Sequence, residues 1–449
     1  MKIVVAIDSF KGSLTAVQAC ETVAGAIRSV MPHAVVVTKP MADGGEGTAS
    51  VLMASAGGRW VGRTVTGPLP DMKVDAGFVW LPDSADVARI SNQKGGSVKA
   101  EGLGDGCIAL REDHRQAALD DATRPAQDPG SSGGPEDATA MVEMATAAGL
   151  QLLRPEQRNP LKTTTYGVGQ LIKAAIDYGA RRILLAIGGS ATVDGGVGAA
   201  MALGWRFLAE DGQEIGLGGG ELSRIAKIVG PDWAMAFGGA ECCVSTDGLP
   251  CAVEVLCDVD NPLCGEHGAA RVYGPQKGAT PEMVEQLDAA LRHLAEAIKQ
   301  EQGRDIAEVP GAGAAGGLAA GAIAFMNARL VSGIDAVMTQ ARLQEAVTGA
   351  DWVLTGEGSF DEQSLRGKVV SGVLRVARAA GAKVGVLAGQ VRMLPGEYHR
   401  AGIEAAVSCM EDGMDLEYAI THGRMLLDRA ARRFVRDNMD SGLVQNEDH

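Results

Sequence analysis

At 449 residues the chain is longer than one hydrophobic core usually serves, so two domains are expected. Its 46% apolar and 22% charged residues exclude disordered, collagen-like and membrane compositions. A formal net charge of −15, with no Lys/Arg-rich run against it, argues against nucleic acid and anionic membranes as partners. A small anionic substrate remains possible where a few cations and helix N-termini converge in a cleft.

The chain opens on an apolar, β-branched run, residues 2–7 (KIVVAI), that ends at Asp8-Ser9. A Thr15-x-x-Gln18 capping box follows, with apolar Val17, Cys20, Ala24, Ile27 and Met31. The pattern predicts strand, loop and amphipathic helix. This start lacks the long apolar core of a secretory signal, and no segment approaches the roughly 20 apolar residues of a bilayer span. The eight Cys have neither regular nor zinc-like spacing and read as reduced thiols, so a cytoplasmic protein is expected.

Two loops near the start can carry chemistry. Asp8, Ser9 and Lys11 follow the first strand and suit a phosphate or carboxylate, although a Ser-rich helix start with a solvated Lys explains them equally well. In Ala42-Asp43-Gly44-Gly45-Glu46-Gly47-Thr48, glycines bring Asp43 and Glu46 near one point, where Mg²⁺ or an ATP hydroxyl would be the target. An ordinary turn into a helix is the alternative.

From 82 to 138 the periodicity fades, and the stretch ends in the linker-like Asp128-Pro-Gly-Ser-Ser-Gly-Gly-Pro135. A flexible insertion is expected, with a hairpin at 96–110. A second strand signal at 183–187 (ILLAI) runs into Gly188-Gly189-Ser190-Ala191-Thr192-Val193-Asp194-Gly195-Gly196. Successive Gly and hydroxyl residues at a helix start offer backbone donors to phosphate oxygens. The run fits neither GxxxxGK[ST] nor a clean GxGxxG.

The run Val253–Leu256 delivers Asp258, Asp260 and Asn261 at a strand's end, and Arg271, Gln276 and Lys277 come soon after. Phosphoryl transfer to an alcohol needs a carboxylate near the attacking hydroxyl and Mg²⁺ on the phosphates. Asp194 and Asp258 are the candidates for both, and the sequence does not choose between them. Arg271 and Lys277 would hold a carboxylate or offset charge on the moving phosphoryl group; solvated surface cations are the alternative.

A helix is predicted from Thr280 to Gly303, with Pro281 at its first position and Val284, Leu287, Leu291, Leu294 and Ile298 on one face, placed as a connector between domains. Two further loops, one with Gly311, Gly313 and Gly316, the other with Glu357, Asp361 and Lys368, are assigned to the Rossmann-like C-terminal part, among strand signals at 352–354, 384–388 and 403–407. Helix-packing glycines would explain the first loop as well. Strands alternating with helices predict an α/β protein with parallel sheets covered on both faces. Six such loops in one chain argue for a cleft that handles phosphates.

The motifs ADGGEG (42–47), GGSATVDGG (188–196), CDVDNPL (257–263), GPQKGA (274–279) and PGAGAAGG (310–317) resemble those of bacterial glycerate kinases. AIDSFKGSL at the start, NPLKTT at 159–164 and TGEGSFDEQSL at 355–365 agree too. The resemblance implies a discontinuous flavodoxin/Rossmann-like domain (1–66 plus 300–435) and an inserted second α/β domain (67–299). Residues 82–138 would be an elaboration that relatives replace by a short turn, and 436–449 a disordered tail. It further implies transfer of a phosphoryl group from ATP, with Mg²⁺, to D-glycerate, favouring 2-phosphoglycerate, in glyoxylate or sugar-acid catabolism.

In the implied site, Asp194 or Asp258 orients or deprotonates the hydroxyl while the other helps hold Mg²⁺. Lys11, Arg271 and Lys277 meet carboxylate or phosphate oxygens, and the loops at 188 and 311 give backbone donors. A homo-oligomer is compatible with the sequence. The rival readings are a kinase for another small hydroxy acid, a nucleotide-binding regulator without catalysis, and an NAD-dependent dehydrogenase, the last disfavoured because no Rossmann fingerprint follows the first strand.

Overall fold

The computed structural model describes residues 1–81, 138–231, 249, 251–411 and 413–439. The hairpin expected at 96–110 and nearly all of 82–138 lie outside the described residues.

The first strand, β1 (Lys2–Ile7), leads into α1 (Ala16–Val30) through the expected box, with Thr15 and Gln18 capping each other. Then come β2 (Val35–Thr38), α2 (Thr48–Ala56), and an antiparallel pair, β3 (Arg59–Thr66) and β4 (Lys73–Leu81). Strand β5 (Thr139–Glu143) pairs antiparallel to β4 with Leu81 opposite Thr139, so the 82–138 stretch leaves and re-enters the sheet at one point.

Next are α3 (Tyr166–Asp177), β6 (Arg182–Ala186), α4 (Val197–Ala202), a small hairpin of β7 (Arg206–Leu208) and β8 (Lys227–Val229), and β9 (Ala252–Leu256). After α5 (Ala269–Tyr273), α6 (Pro281–Gln302) and α7 (Ala314–Met326), strand β10 (Arg329–Val331) closes the central part. The chain ends with α8 (Gly333–Gln340), β11 (Trp352–Phe360), α9 (Val369–Ala379), β12 (Lys383–Val391), β13 (Ala405–Ser408) and α10 (Gly423–Asn438).

Two main sheets result. One is wholly parallel, in the order β2-β1-β11-β12-β13, the flavodoxin order with its switch point between β1 and β11. The other runs β3-β4-β5-β6-β9-β10. It is parallel from β5 to β10 but antiparallel through β3 and β4, because the short turn at 67–72 can join only antiparallel neighbours.

Strand pairing moves both expected domain limits. β3 precedes the limit at 66/67 yet pairs with β4, and the limit at 299/300 falls inside α6. That helix has the predicted caps and buries the predicted face, but it packs on α5 and the β7–β8 side of the second sheet instead of linking domains. The loop at 311–317 likewise belongs with the second sheet. At the C-terminus α10 continues through Asn438, because Phe434, Val435 and Met439 are buried, so the ordered chain runs past 436.

A single apolar cluster joins the sheets. Val4, Ala6, Val353 and Val386 of the first meet Met141, Leu184, Ala186 and Leu256 of the second through α2, α8 and α9. Each buried Val, Leu or Met among them is worth about 1.5–3 kcal/mol. The shared helical layer fixes the two carboxyl edges against each other. Among the described residues, no helix is long and apolar enough to cross a membrane.

Candidate active site

Ligands of open α/β sheets bind beyond the strands' carboxyl ends, at the switch point. There β1 delivers Asp8, whose amide donates to the Gly356 carbonyl of β11 at 3.0 Å. Glu357 follows Gly356, and Ile7 stands opposite Gly356 in the register. The loop after β2 adds Asp43, and β9 of the second sheet adds Asp258.

Three of these acids are oriented by backbone amides. Asp8 accepts from the Ser9 amide at 2.6 Å, Asp43 from Gly45 at 3.1 Å and Asp258 from Gly333 at 3.0 Å. Burial, then the charge of Asp43, pushes the Asp8 carboxyl up to about 7, with Glu357 adding to the rise and Lys11 opposing it. Burial raises Asp258 to about 6, against the Gly333 amide and the Ser332 hydroxyl, and Asp43 raises it further. Glu357 is also raised, chiefly by burial, with Ser364 and Lys368 opposing. Asp43 is thus the shared neighbour of three carboxyls. Its loop is pressed close to the phosphate-type loop: a β-carbon on Gly188 would lie 2.6 Å from the Gly45 Cα.

Lys11 is exposed beside Asp8, and Lys368 stands immediately before α9, near Glu357. Asp361 is turned to cap its own short helix, accepting from Gln363 at 2.9 Å, and Glu46 is exposed near Gly189.

The loop after β6 departs from the sequence reading. Asp194 is buried, with Oδ2 accepting from the Thr165 amide at 2.7 Å, Thr165 Oγ1 at 2.9 Å, Thr164 Oγ1 at 3.4 Å and the Gly198 amide at 3.3 Å, and Oδ1 from Gly196 at 3.2 Å. These bonds, four of them on Oδ2, tie the starts of α3 and α4 together and hold the carboxylate in the interior. Lys277 is equally withdrawn: its Nζ donates to Ser190 Oγ at 2.6 Å and to the Thr192 carbonyl at 2.7 Å, and burial lowers it to about 7.

The remaining predicted residues lie around these loops. Arg271 is held by both oxygens of Glu285 at 2.6 Å, a pairing that a substrate carboxylate would have to displace. Asn261 bridges Tyr273 and the His267 carbonyl, while Gln276 is exposed. Gly313 donates to the Asn261 carbonyl, and a β-carbon on Gly316 would lie 1.9 Å from the Thr192 oxygen. The glycines at 311–316 therefore serve close backbone packing.

Sequence reasoning missed Glu143 at the end of β5, which accepts from the Gly47 and Ala49 amides at 2.9 and 3.0 Å and so caps α2 from the other sheet. It also missed Thr163–Thr165, which brace the 188–196 loop, and Gly333. The NPLKTT motif held Thr163 and Thr164 in plain view, with Thr165 next to it; Glu143 and Gly333 carry no local signal.

Among the described residues, no group of three His, Cys, Asp or Glu side chains is arranged to hold a metal ion. Magnesium takes only one or two carboxylates and completes its shell with water and phosphate oxygens. The hard oxygens of Asp8 and Asp43 fit that demand, since a cation there would relieve the repulsion from Asp43 that adds to burial in raising Asp8. The arrangement can hold a polyanion–Mg²⁺ complex beside a carboxylate competent to take a proton near neutral pH.

A family model described as the glycerate kinase family matches residues 3–96 and 104–438 of the chain. A glycerate kinase of Halalkalibacterium halodurans is 41% identical over 433 residues, covering 96% of this chain and 97% of that protein. A glycerate 2-kinase of Escherichia coli K12 is 37% identical over 440 residues, 97% of each chain. A crystal structure of a glycerate kinase 2 from Salmonella typhimurium LT2 superposes with a TM-score of 0.73 at 34% identity, covering 97% of this chain and 98% of that one.

Proposed function

The chain belongs to the glycerate kinase family, and from that premise we propose that it transfers the terminal phosphoryl group of ATP to D-glycerate, forming 2-phosphoglycerate in preference to 3-phosphoglycerate. The observation that carries this reading is the meeting of Asp8, Asp43 and Glu357 with Asp258 where the two carboxyl edges converge.

Asp258 is the acid that orients and deprotonates the acceptor hydroxyl. Its elevation to about 6 leaves it ionised at neutral pH yet more basic than an ordinary Asp, as a general base requires. Asp8 and Asp43 would hold Mg²⁺, which when bound supplies positive charge to the phosphate oxygens. Lys11 and Lys368 neutralise substrate oxygens, and the 188–193 loop donates backbone N–H groups to phosphate. Excluding water from this edge strengthens each contact and protects the phosphoryl group from hydrolysis. The reaction belongs in the cytoplasm and would pass glyoxylate- or sugar-acid-derived glycerate toward glycolysis.

An ADP-release assay with Mg²⁺-ATP and D-glycerate, with the product identified by phosphorus NMR, tests the reading. Turnover to 2-phosphoglycerate that Asp258→Asn abolishes supports it. Absence of turnover with D-glycerate, while ATP still raises the melting temperature, would transfer the reading to another hydroxy acid.

A further inference from the structure

Lys277 is 1% exposed. A buried ammonium is tolerated only when its protons are donated, and two of them go to the Ser190 hydroxyl and the Thr192 carbonyl. Between those residues the Ala191 carbonyl is taken by Thr163 Oγ1 at 2.9 Å. Three consecutive residues of the loop thus have an oxygen pinned toward the interior, and Asp194 is the charged group set against the amine. What the loop retains is donors. No described residue accepts the amides of Gly189 and Ser190 at the loop's outer end; Thr192 and Val193 are fully buried behind them, and Thr192 Oγ1 has no partner.

We infer that Lys277 is a positioning residue for the nucleotide: without touching ATP, it holds Ser190 and Thr192 so that the unspent donors of the 188–193 loop stay assembled for phosphate oxygens. A loop with its carbonyls fixed away from the ligand and its amides free is an anion receiver whose donors need no reorganisation on binding. This differs from the role the sequence suggested, in which the Lys277 ammonium itself meets the substrate. The inference rests on the chain being an ATP-dependent kinase.

Calorimetric binding of a non-hydrolysable ATP analogue with Mg²⁺ to the full-length protein tests it, because that readout needs no acceptor substrate. Lys277→Met should weaken binding about tenfold or more, the usual scale for losing a charge-assisted bond, while the KM for D-glycerate stays at the wild-type value. Adding Ser190→Ala to Lys277→Met should weaken binding no further, since both changes undo one link. Unchanged analogue affinity in folded Lys277→Met, or full additivity of the two changes, would overturn the inference. Should Lys277→Met fail to fold, Ser190→Ala alone decides, and wild-type affinity in it overturns the inference as well. A wild-type protein that binds the analogue but does not turn over D-glycerate would refute the acceptor assignment and leave this inference standing; one that does not bind the analogue refutes it.

Discussion

The amide of Gly333 donates to Asp258 Oδ1 at 3.0 Å, at the point where the second sheet hands its carboxylate to the first. A β-carbon on Gly333 would lie 2.0 Å from the Asp43 carbonyl oxygen and 2.9 Å from Asp258 Oδ2. Gly333→Ala must therefore push the two acidic loops apart. Turnover is expected to fall about tenfold or more, with an overpacking cost of about 1–3 kcal/mol. Steady-state kinetics beside thermal unfolding check this, and wild-type turnover would mean that the Asp43–Asp258 approach is not needed for catalysis.

Asp194→Asn and Asp258→Asn should separate structure from chemistry. At Asp194 an amide nitrogen would replace an oxygen that receives donors, so the buried network loses about 2–4 kcal/mol and the melting temperature drops. Asp258 accepts one backbone amide, that of Gly333, instead of a buried network, and its replacement should leave the melting temperature near wild type while kcat collapses. Loss of stability in Asp258→Asn, or a normal melting temperature in Asp194→Asn, would reverse these assignments.

These two acids also mark the limit of what the sequence discloses. Both follow apolar strands and precede loop residues, so local pattern treats them alike. They differ in what faces them: Thr164, Thr165 and Gly198 surround one, and the Gly333 amide meets the other from 75 residues away in the chain. The capping box at Thr15, the helix from Pro281 and the strands at β1, β6 and β11 were legible because caps and hydrophobic period are local properties. Membership of β3 and β10 in the second sheet was not, since pairing partners are chosen by tertiary packing. Lys277 reads as a cation that meets the substrate's carboxylate or phosphate until the structure buries its amine.

The raised Asp8 carboxyl gives stability a pH dependence of defined sign. Its folded value of about 7 lies above the ordinary 3.8, so between these values the folded state binds more protons than the unfolded one. This group's contribution is therefore fully present below pH about 4 and is lost as pH rises through about 7. In Mg²⁺-free buffer Asp8→Asn should gain melting temperature over wild type at pH 8 and match it at pH 4. Thermal unfolding at both pH values measures this; an equal difference at each would show that the ionisation of Asp8 costs the fold nothing. Asp8→Asn should also raise the Mg²⁺ concentration needed for half-maximal turnover.

Glu143 reaches from the second sheet to cap α2, which begins with Gly47 and no side-chain cap of its own. A carboxylate at a helix start satisfies orphan amides and complements the helix dipole. Glu143→Ala leaves two buried amides without acceptors, at a cost of about 1–3 kcal/mol each before water or rearrangement compensates. Glu143→Gln keeps one acceptor and should cost less. The consequence reaches the site because Asp43 lies four residues before Gly47, on the same loop. If that loop positions Asp43 for Mg²⁺, Glu143→Ala should raise the Mg²⁺ concentration for half-maximal turnover more than it raises the KM for D-glycerate, with Glu143→Gln in between. A purely structural cap would instead lower active enzyme and leave both concentrations at their wild-type values, an outcome that titrating Mg²⁺ at fixed substrate distinguishes directly.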